Sequence, residues 1–334
     1  MSNNEQIRVE NLKLWFDLRT TFLESFSKDA SYVRAVDGVS FSIKKGETFG
    51  LVGESGCGKT TTGRVIMGSL VPTSGKVFFE DNDIFSKEKK DVFENRALKM
   101  QMIFQDPYEY LSPWYSVERA LSEPLHIHNL GNSKEEIYNK VIEMMEIVGL
   151  SPVETILSKR PYELSGGQRQ RVIIARALIL NPIFLLADEP VSMLDVSIRV
   201  NILNLLIDLK NKLSLTTLFI THDFAVARYM TDRIGVMYLG KILEKGPTDK
   251  IIKDPLHPYT KALIAAVPVP DPSYIAPQPE IKGGVPSPVN MPTGCRFHPR
   301  CTYAVEVCSK EEPELLEVVK DHYAACHLVN EINP

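Results

Sequence analysis

Thr48 to Thr62 reads TFGLVGESGCGKTTT, and the fold follows from this stretch. Phe49, Leu51 and Val52 make a short apolar strand. Gly53, Glu54, Ser55, Gly56, Cys57, Gly58, Lys59 and Thr60 then fit G-x-x-x-x-G-K-[ST] without a mismatch. The three glycines let the backbone curl so that successive N–H groups point inward, a concavity suited to phosphate oxygens. A helix is expected from Thr61 to Leu70, and its positive N-terminal end attracts the same anion. Lys59 is expected to reach the terminal phosphates and the Thr60 hydroxyl to ligate Mg²⁺. A strand, a glycine-rich turn and a helix in succession mark a nucleoside-triphosphate site.

Upstream, Ile7 to Phe16 and Val39 to Ile43 read as strands, with Leu18 to Arg34 expected as a polar, aromatic-spotted hairpin loop between them. Downstream, Lys76 to Glu80 gives another strand, and Ser86 to Asn95 is charged and solvated. Met100 to Gln105 is a buried-type strand stopped by Asp106-Pro107. Tyr108 to Ile179 turns helical, most clearly at Ser133 to Val148, where Ser133-Lys134-Glu135-Glu136 has the form of a cap. Ile183 to Ala187, Leu218 to Thr221 and Ile234 to Tyr238 are further strands. Ser197 to Leu213 is a helix with Ile198, Ile202, Leu205 and Leu209 on one face. Strands alternating with helices predict an α/β fold, a mainly parallel phosphate-loop sheet with helices on both sides. An antiparallel β subdomain and a helical insertion at about 107–180 complete it. From Val267 to Gly294 the chain is proline-rich and irregular. The expected organisation is therefore a nucleotide-binding domain over 1–266, then a linker and a cysteine-bearing extension over 267–334.

The bulk composition agrees with a soluble protein. The 334 residues are 44% hydrophobic and 24% charged. The net charge of −4 and pI near 6.0 weigh against nucleic acid as a partner. The best spanning candidate, Arg171 to Pro190, is broken by Arg176, Asn181 and Pro182. The polar N-terminus has no signal-peptide apolar stretch, so a cytosolic protein is expected.

Two further motifs carry chemistry. Ile183 to Glu189 is an apolar strand ending in adjacent acids. Neighbours on a strand point to opposite faces, so the two carboxylates do different work. Asp188 is placed to hold Mg²⁺ through water and Glu189 to polarise a water for in-line attack on a γ-phosphate. Alone, such a pair is more often a solvated turn. Leu164-Ser165-Gly166-Gly167-Gln168 opens a helical segment, Arg169 to Leu180. It reads as an N-cap and equally as a second anion site of bare N–H groups and a hydroxyl.

The order of these motifs resembles the ATP-binding-cassette ATPases: the phosphate loop, Gln105 at a strand end, LSGGQ, Asp188-Glu189, Ser192 to Asp195, and His222. The resemblance spans about residues 7 to 265. It implies that Gln105 contacts Mg²⁺ and the attacking water, and that His222 contacts the γ-phosphate. It also implies that Ser165 and Gly167, with Gly166 and Gln168 beside them, cap the ATP of a second subunit, and that Asp195 lies in the loop crossing that interface. Thr61 continues the nucleotide loop. Phe16 matches the adenine-stacking aromatic by its place on the first strand, with Tyr32 as its competitor.

A narrower resemblance rests on AVDGVSF, GESGCGKTT, MIFQDPYEYLSP, ARALILNP, MYLGKILEKG, HPYTKALIAAVP and the cysteine-bearing tail. These look like the ATPase subunits of oligopeptide and dipeptide importers, closer to the second of their two paralogous ATPases. The resemblance implies a head-to-tail dimer with a paralogue, two membrane permeases at the cytoplasmic face, and an extracellular solute-binding protein. Relatives importing oligosaccharides, and soluble cassette ATPases acting on nucleic acid or ribosomes, are the alternatives. The latter carry coiled-coil insertions or a second cassette, which this sequence lacks. In the tail, Cys295, Cys301, Cys308 and Cys326 are spaced C-x5-C-x6-C-x17-C. Reducing cytosol weighs against disulfides. Zinc knuckles pair cysteines more closely than this, which leaves zinc as the rival to a [4Fe–4S] cluster. The importer resemblance also points to the cluster. The tail has too few patterned apolar residues for a core of its own, and a metal would staple it.

Overall fold

The first strands follow from alternation, with one slip. β1 (Glu5–Asp17) buries Ile7 and Val9, then Leu12 and Leu14. The switch from odd to even positions is a bulge between Glu10 and Lys13, where Asn11 takes φ 44°. β2 (Tyr32–Lys44) starts earlier than Val39, because its N-terminal half is also strand and lies beside β1. The computed structural model describes residues 4–18, 32–86, 96–106, 110–267 and 281–333. Most of the expected hairpin loop and of the charged stretch Ser86 to Asn95 therefore lies outside the described residues.

These residues form two compact units. The first comprises Met1–Ile43, Thr48–Phe85 and Phe219–Pro334. In it β3 (Thr48–Val52), buried at every position, leads through the phosphate loop to α1 (Lys59–Ile66). β4 (Ser74–Phe79) pairs antiparallel with β1 and with β5 (Asn82–Asp83). That makes a four-stranded antiparallel sheet in the order β2-β1-β4-β5.

The second unit comprises Lys44–Glu47 and Ser86–Leu218. Its strands β6 (Met100–Ile103) and β7 (Phe184–Asp188) pair parallel. Between them in sequence come α2 (Val117–Ile127), α3 (Lys134–Ile147), α4 (Val153–Leu157) and α5 (Gly166–Leu178). Ser133 caps α3 by accepting from the Glu136 N–H at 3.1 Å, while the Glu136 carboxylate accepts from the Asn132 N–H at 2.8 Å. α6 (Val196–Leu213) buries Ile202, Leu203, Leu206 and Leu209. The inward face is thus turned slightly from the expected one, with Leu203 and Leu206 replacing Leu205. β8 (Thr216–Thr221) lies next to β7 and carries the chain back to the first unit.

The return segment holds α7 (Phe224–Met230), β9 (Arg233–Tyr238), β10 (Lys241–Pro247), α8 (Thr248–Lys253) and α9 (Pro258–Ala265). The tail then adds α10 (Glu306–Lys310), β11 (Leu316–Val319) and β12 (His322–Ala324). β3 pairs parallel with β9, whereas β9-β10-β12-β11 is antiparallel throughout. The sheet is mixed, and the tail hairpin lengthens it from the β10 edge. The tail also shares a core with the rest of its unit. Cys295, Phe297 and Cys308 join Val52, Phe224, Tyr238, Leu243 and Tyr259 in one hydrophobic cluster.

Candidate functional site

The phosphate loop is shaped by close backbone approach. A Cβ on Gly53 would lie 2.2 Å from the Met237 carbonyl oxygen, and one on Gly58 would lie 2.1 Å from that of Ala35. Gly58 also sits at φ 106° as it enters α1. Ser55 and Gly56 are exposed, and the Gly240 N–H fixes the Cys57 carbonyl at 2.9 Å. Lys59 is 5% exposed. Its ammonium donates to the carbonyls of Gly53 at 2.7 Å and Glu54 at 2.9 Å, and to Cys57 Sγ at 3.7 Å. A buried cation is thereby held inside the loop by partners that replace its water. Burial pushes the Cys57 thiol up, with Lys59 opposing. Thr60 and Thr61 follow at the start of the helix, half-buried. His222, exposed after β8, belongs to this unit too, and Asp223 beside it caps α7 by accepting from the Ala225 and Val226 N–H groups.

The second unit gathers the carboxylates and the glycine-rich helix start. Asp188, 2% exposed, ends β7. Glu189 follows at φ 45°, a left-handed conformation that costs a non-glycine residue energy and is typical of functional turns. The turn is closed by Ser192, whose N–H and hydroxyl both donate to the Glu189 carbonyl, at 3.2 and 3.0 Å. Gln105 Nε2 donates to Glu189 Oε2 at 3.3 Å. Those two residues, 84 positions apart, are thus brought together. Ser165 and Gln168 form a reciprocal capping box: each side chain accepts from the other's backbone N–H, at 3.2 and 3.1 Å. This starts α5 at Gly166, three residues before the expected Arg169. Gly167 is buried, and a Cβ there would meet the Ile198 side chain at 2.8 Å. Asp195 is exposed at the start of α6.

Residues 36–192 match the ABC transporter family, and residues 243–308 match the oligopeptide/dipeptide transporter C-terminal region. The oligopeptide transport ATP-binding protein AppF of Bacillus subtilis (strain 168) is 44% identical over 330 residues, 98% of this chain and 98% of its own. The chain belongs to the ABC transporter family. It is an ATPase of that family. YkfD of the same organism is 46% identical over 325 residues, 96% of this chain and 95% of its own. The ATP-binding cassette MJ0796, solved as a dimer in a post-hydrolysis state bound to ADP and Pi, superposes with a TM-score of 0.62 at 29% identity, covering 72% of this chain and 98% of that one. CbiO1 of Clostridium perfringens gives 0.63 at 26%, covering 75% of this chain and 92% of that one. No helix among the described residues is long and apolar enough to cross a membrane.

Both aromatic candidates of this ABC ATPase lie in its first unit. Phe16 is 42% exposed on β1. Tyr32, at the start of β2, packs on Trp15 at 6.2 Å between ring centroids.

Cys295, Cys301, Cys308 and Cys326 line one small apolar pocket with His257, His298 and His327. All four are free thiols. Burial raises Cys295 to about 12 and Cys326 to about 11, and lifts Cys301 as well, so these thiols are protonated at neutral pH. Convergence and donor type fit a thiolate-bound metal. Among the described residues no group of three or more His, Cys, Asp or Glu is already arranged to hold a metal ion.

Several contacts had no signal in the sequence. Arg300 forms a two-pronged ion pair with Glu54, 246 residues away. Arg296 pairs with Asp37 at 2.5 Å, and the Tyr259 hydroxyl accepts from the Glu54 N–H at 3.1 Å. Nothing in their local spacing distinguishes these residues from ordinary surface polar groups.

Proposed function

We propose that this ABC ATPase powers an importer of oligopeptides or dipeptides, working at the cytoplasmic face of the membrane beneath two permease subunits. The observation that carries it is the match to AppF over nearly the full length of both chains, tail included. In this reading Lys59 and the N–H groups from Ser55 to Thr61 bind the triphosphate. Thr60, Asp188 and Gln105 hold Mg²⁺, which supplies charge neutralisation on the phosphates. Glu189 is the general base, supported by its contact with Gln105 and by its constrained backbone. His222 contacts the γ-phosphate, Phe16 or Tyr32 stacks on adenine, and Ser165 to Gln168 with Asp195 serve the nucleotide of the second subunit.

That second subunit is a paralogous ATPase, and the solute-binding protein acts outside the membrane. Permease docking uses residues 106–123, of which 107–109 lie outside the described residues. Trp114, 78% exposed, gives that surface an apolar anchor. The four tail cysteines hold a [4Fe–4S] cluster, with zinc as the rival. Their shared pocket supports this reading, and a bound metal would favour the thiolate form of the four cysteines.

Glu189→Gln is expected to bind ATP while single-turnover hydrolysis falls about 10²–10⁴-fold. Undiminished hydrolysis would remove Glu189 from its role. Pull-down from native membranes should bring permeases and a second ATPase, and recovery of neither would defeat the importer reading. Anaerobic purification with iron, sulfide and zinc analysis decides the tail: colourless protein with stoichiometric zinc excludes the cluster.

A further inference from the structure

Glu54, inside the phosphate loop, is held at every polar point it has. Its carbonyl accepts from Lys59 at 2.9 Å. Its N–H donates to the hydroxyl of Tyr259 on α9 at 3.1 Å. Its carboxylate accepts from Arg300, Nη1 to Oε2 at 2.7 Å and Nη2 to Oε1 at 3.1 Å, the parallel geometry that makes arginine–carboxylate pairs strong. Two of these three anchors come from beyond residue 258. Arg300 is itself fixed: its side chain is 8% exposed, its Nη1 lies 3.5 Å from the Tyr238 hydroxyl, and its guanidinium lies over the rings of Tyr238 and Phe297. Burial pushes the Tyr259 hydroxyl up, so it stays neutral.

The tail has attachments besides this pair. It has the β10–β12 ladder, the Glu244–His322 contact at 2.7 Å, the buried Arg296–Asp37 pair and the shared hydrophobic cluster. The loop has much less: Ser55 and Gly56 are exposed, and a Cβ on Gly56 would touch nothing within 4 Å. An anionic side chain within a phosphate-binding loop also repels its ligand unless it is neutralised.

We propose that Arg300 is a positioning residue for nucleotide binding: it fixes and neutralises Glu54, so the cysteine-bearing tail sets the affinity of the phosphate loop for ATP. This rests on the phosphate loop being the nucleotide site, and a Lys59→Ala control separates the two claims. The full-length chain is titrated with a fluorescent ATP analogue and Mg²⁺, and KM and kcat for MgATP are measured in the assembled transporter. Arg300→Ala is expected to weaken binding and raise KM about tenfold, with kcat at saturation within about twofold. Arg300→Lys, which keeps the charge but loses the fork, should fall between. The decisive variant is the double one. Arg300→Ala with Glu54→Gln removes the unpaired carboxylate and should recover binding to within about threefold of the parent. A residue that only supports the fold would show no such rescue. The proposal is overturned if Arg300→Ala leaves KM unchanged, if it lowers kcat without raising KM, or if the double variant binds no better than the single one. Should Arg300→Ala fail to fold, Arg300→Lys with and without Glu54→Gln decides on the same criterion. Lys59→Ala that retains full affinity would overturn the site assignment and the proposal together; affinity lost in Lys59→Ala alone overturns only the proposal.

Discussion

The phosphate loop keeps a charged side chain at 5% exposure by surrounding Lys59 with two carbonyls and a sulfur, whereas burial in the tail pocket raises the Cys295, Cys301 and Cys326 thiols and leaves those three neutral. Burying an ion costs several kcal/mol unless partners replace its water. The loop has those partners within its own eight residues, so its cation stands ready for an anion. The pocket offers its thiols backbone groups and histidines, and burial still keeps Cys295, Cys301 and Cys326 protonated. One region holds its charge by local polar contacts, and the other stays neutral because it is buried.

The tail side of that contrast depends on buried polar attachments, and removing one should give the largest effect. The Glu244 carboxylate, fully buried, accepts from the N–H groups of Leu256 at 2.8 Å and His257 at 2.9 Å, and meets His322 Nε2 at 2.7 Å. Glu244→Ala leaves all three without a partner and should cost about 3–5 kcal/mol in urea unfolding. A loss under about 1 kcal/mol would mean that the hydrophobic cluster alone secures the tail.

Acid should act next. Burial lowers His257 to about 4, against its ordinary 6.5, and Glu244 only partly opposes the shift. Above about pH 7 both states hold the ring neutral and nothing is lost. As pH falls from 6.5 through 4, the unfolded chain takes a proton that the native state refuses, and stability drops by up to about 3 kcal/mol. Melting curves from pH 7.5 to 4.5 measure this, and His257→Gln should flatten them. An equally steep decline in that variant would place the acid sensitivity elsewhere.

On the loop side, Lys59→Ala should reduce ATP affinity about 30–100-fold, the worth of a charge-assisted contact to phosphate. Titration with a fluorescent analogue checks it. If stability fell as far as in Glu244→Ala, the ammonium would be a structural prop and the contrast with the tail would dissolve. The smallest effect belongs to Ser165→Ala, which removes the α5 cap and should cost about 1 kcal/mol in urea unfolding. ATPase activity falling far beyond that loss would separate the nucleotide role of Ser165 from its cap.

Much of the chain was legible because its cause is local. The curl of Gly53 to Thr60, the capping box at Ser165, the apolar strand ending in Asp188-Glu189 and the cap of α3 all depend on hydrogen bonds and periodicity within a few residues. The β1 bulge, the earlier start of β2 and the turned face of α6 escaped, since each depends on which neighbour a strand or helix meets. In the site, the residue types of the phosphate loop and the acid pair were readable. The contact between Gln105 and Glu189 and the left-handed backbone of Glu189 were not.

The sequence by itself determined that this chain carries a glycine-rich loop of the nucleotide-binding pattern, an acid pair at the end of an apolar strand and four tail cysteines, because each is a matter of residue type and short spacing. Only the tertiary structure decided that the tail shares the core of the first unit, that its cysteines line one pocket, and that Arg300 closes on Glu54 across 246 residues. Long-range pairs leave no periodic trace. They exist only once burial has removed the water that would otherwise satisfy both partners.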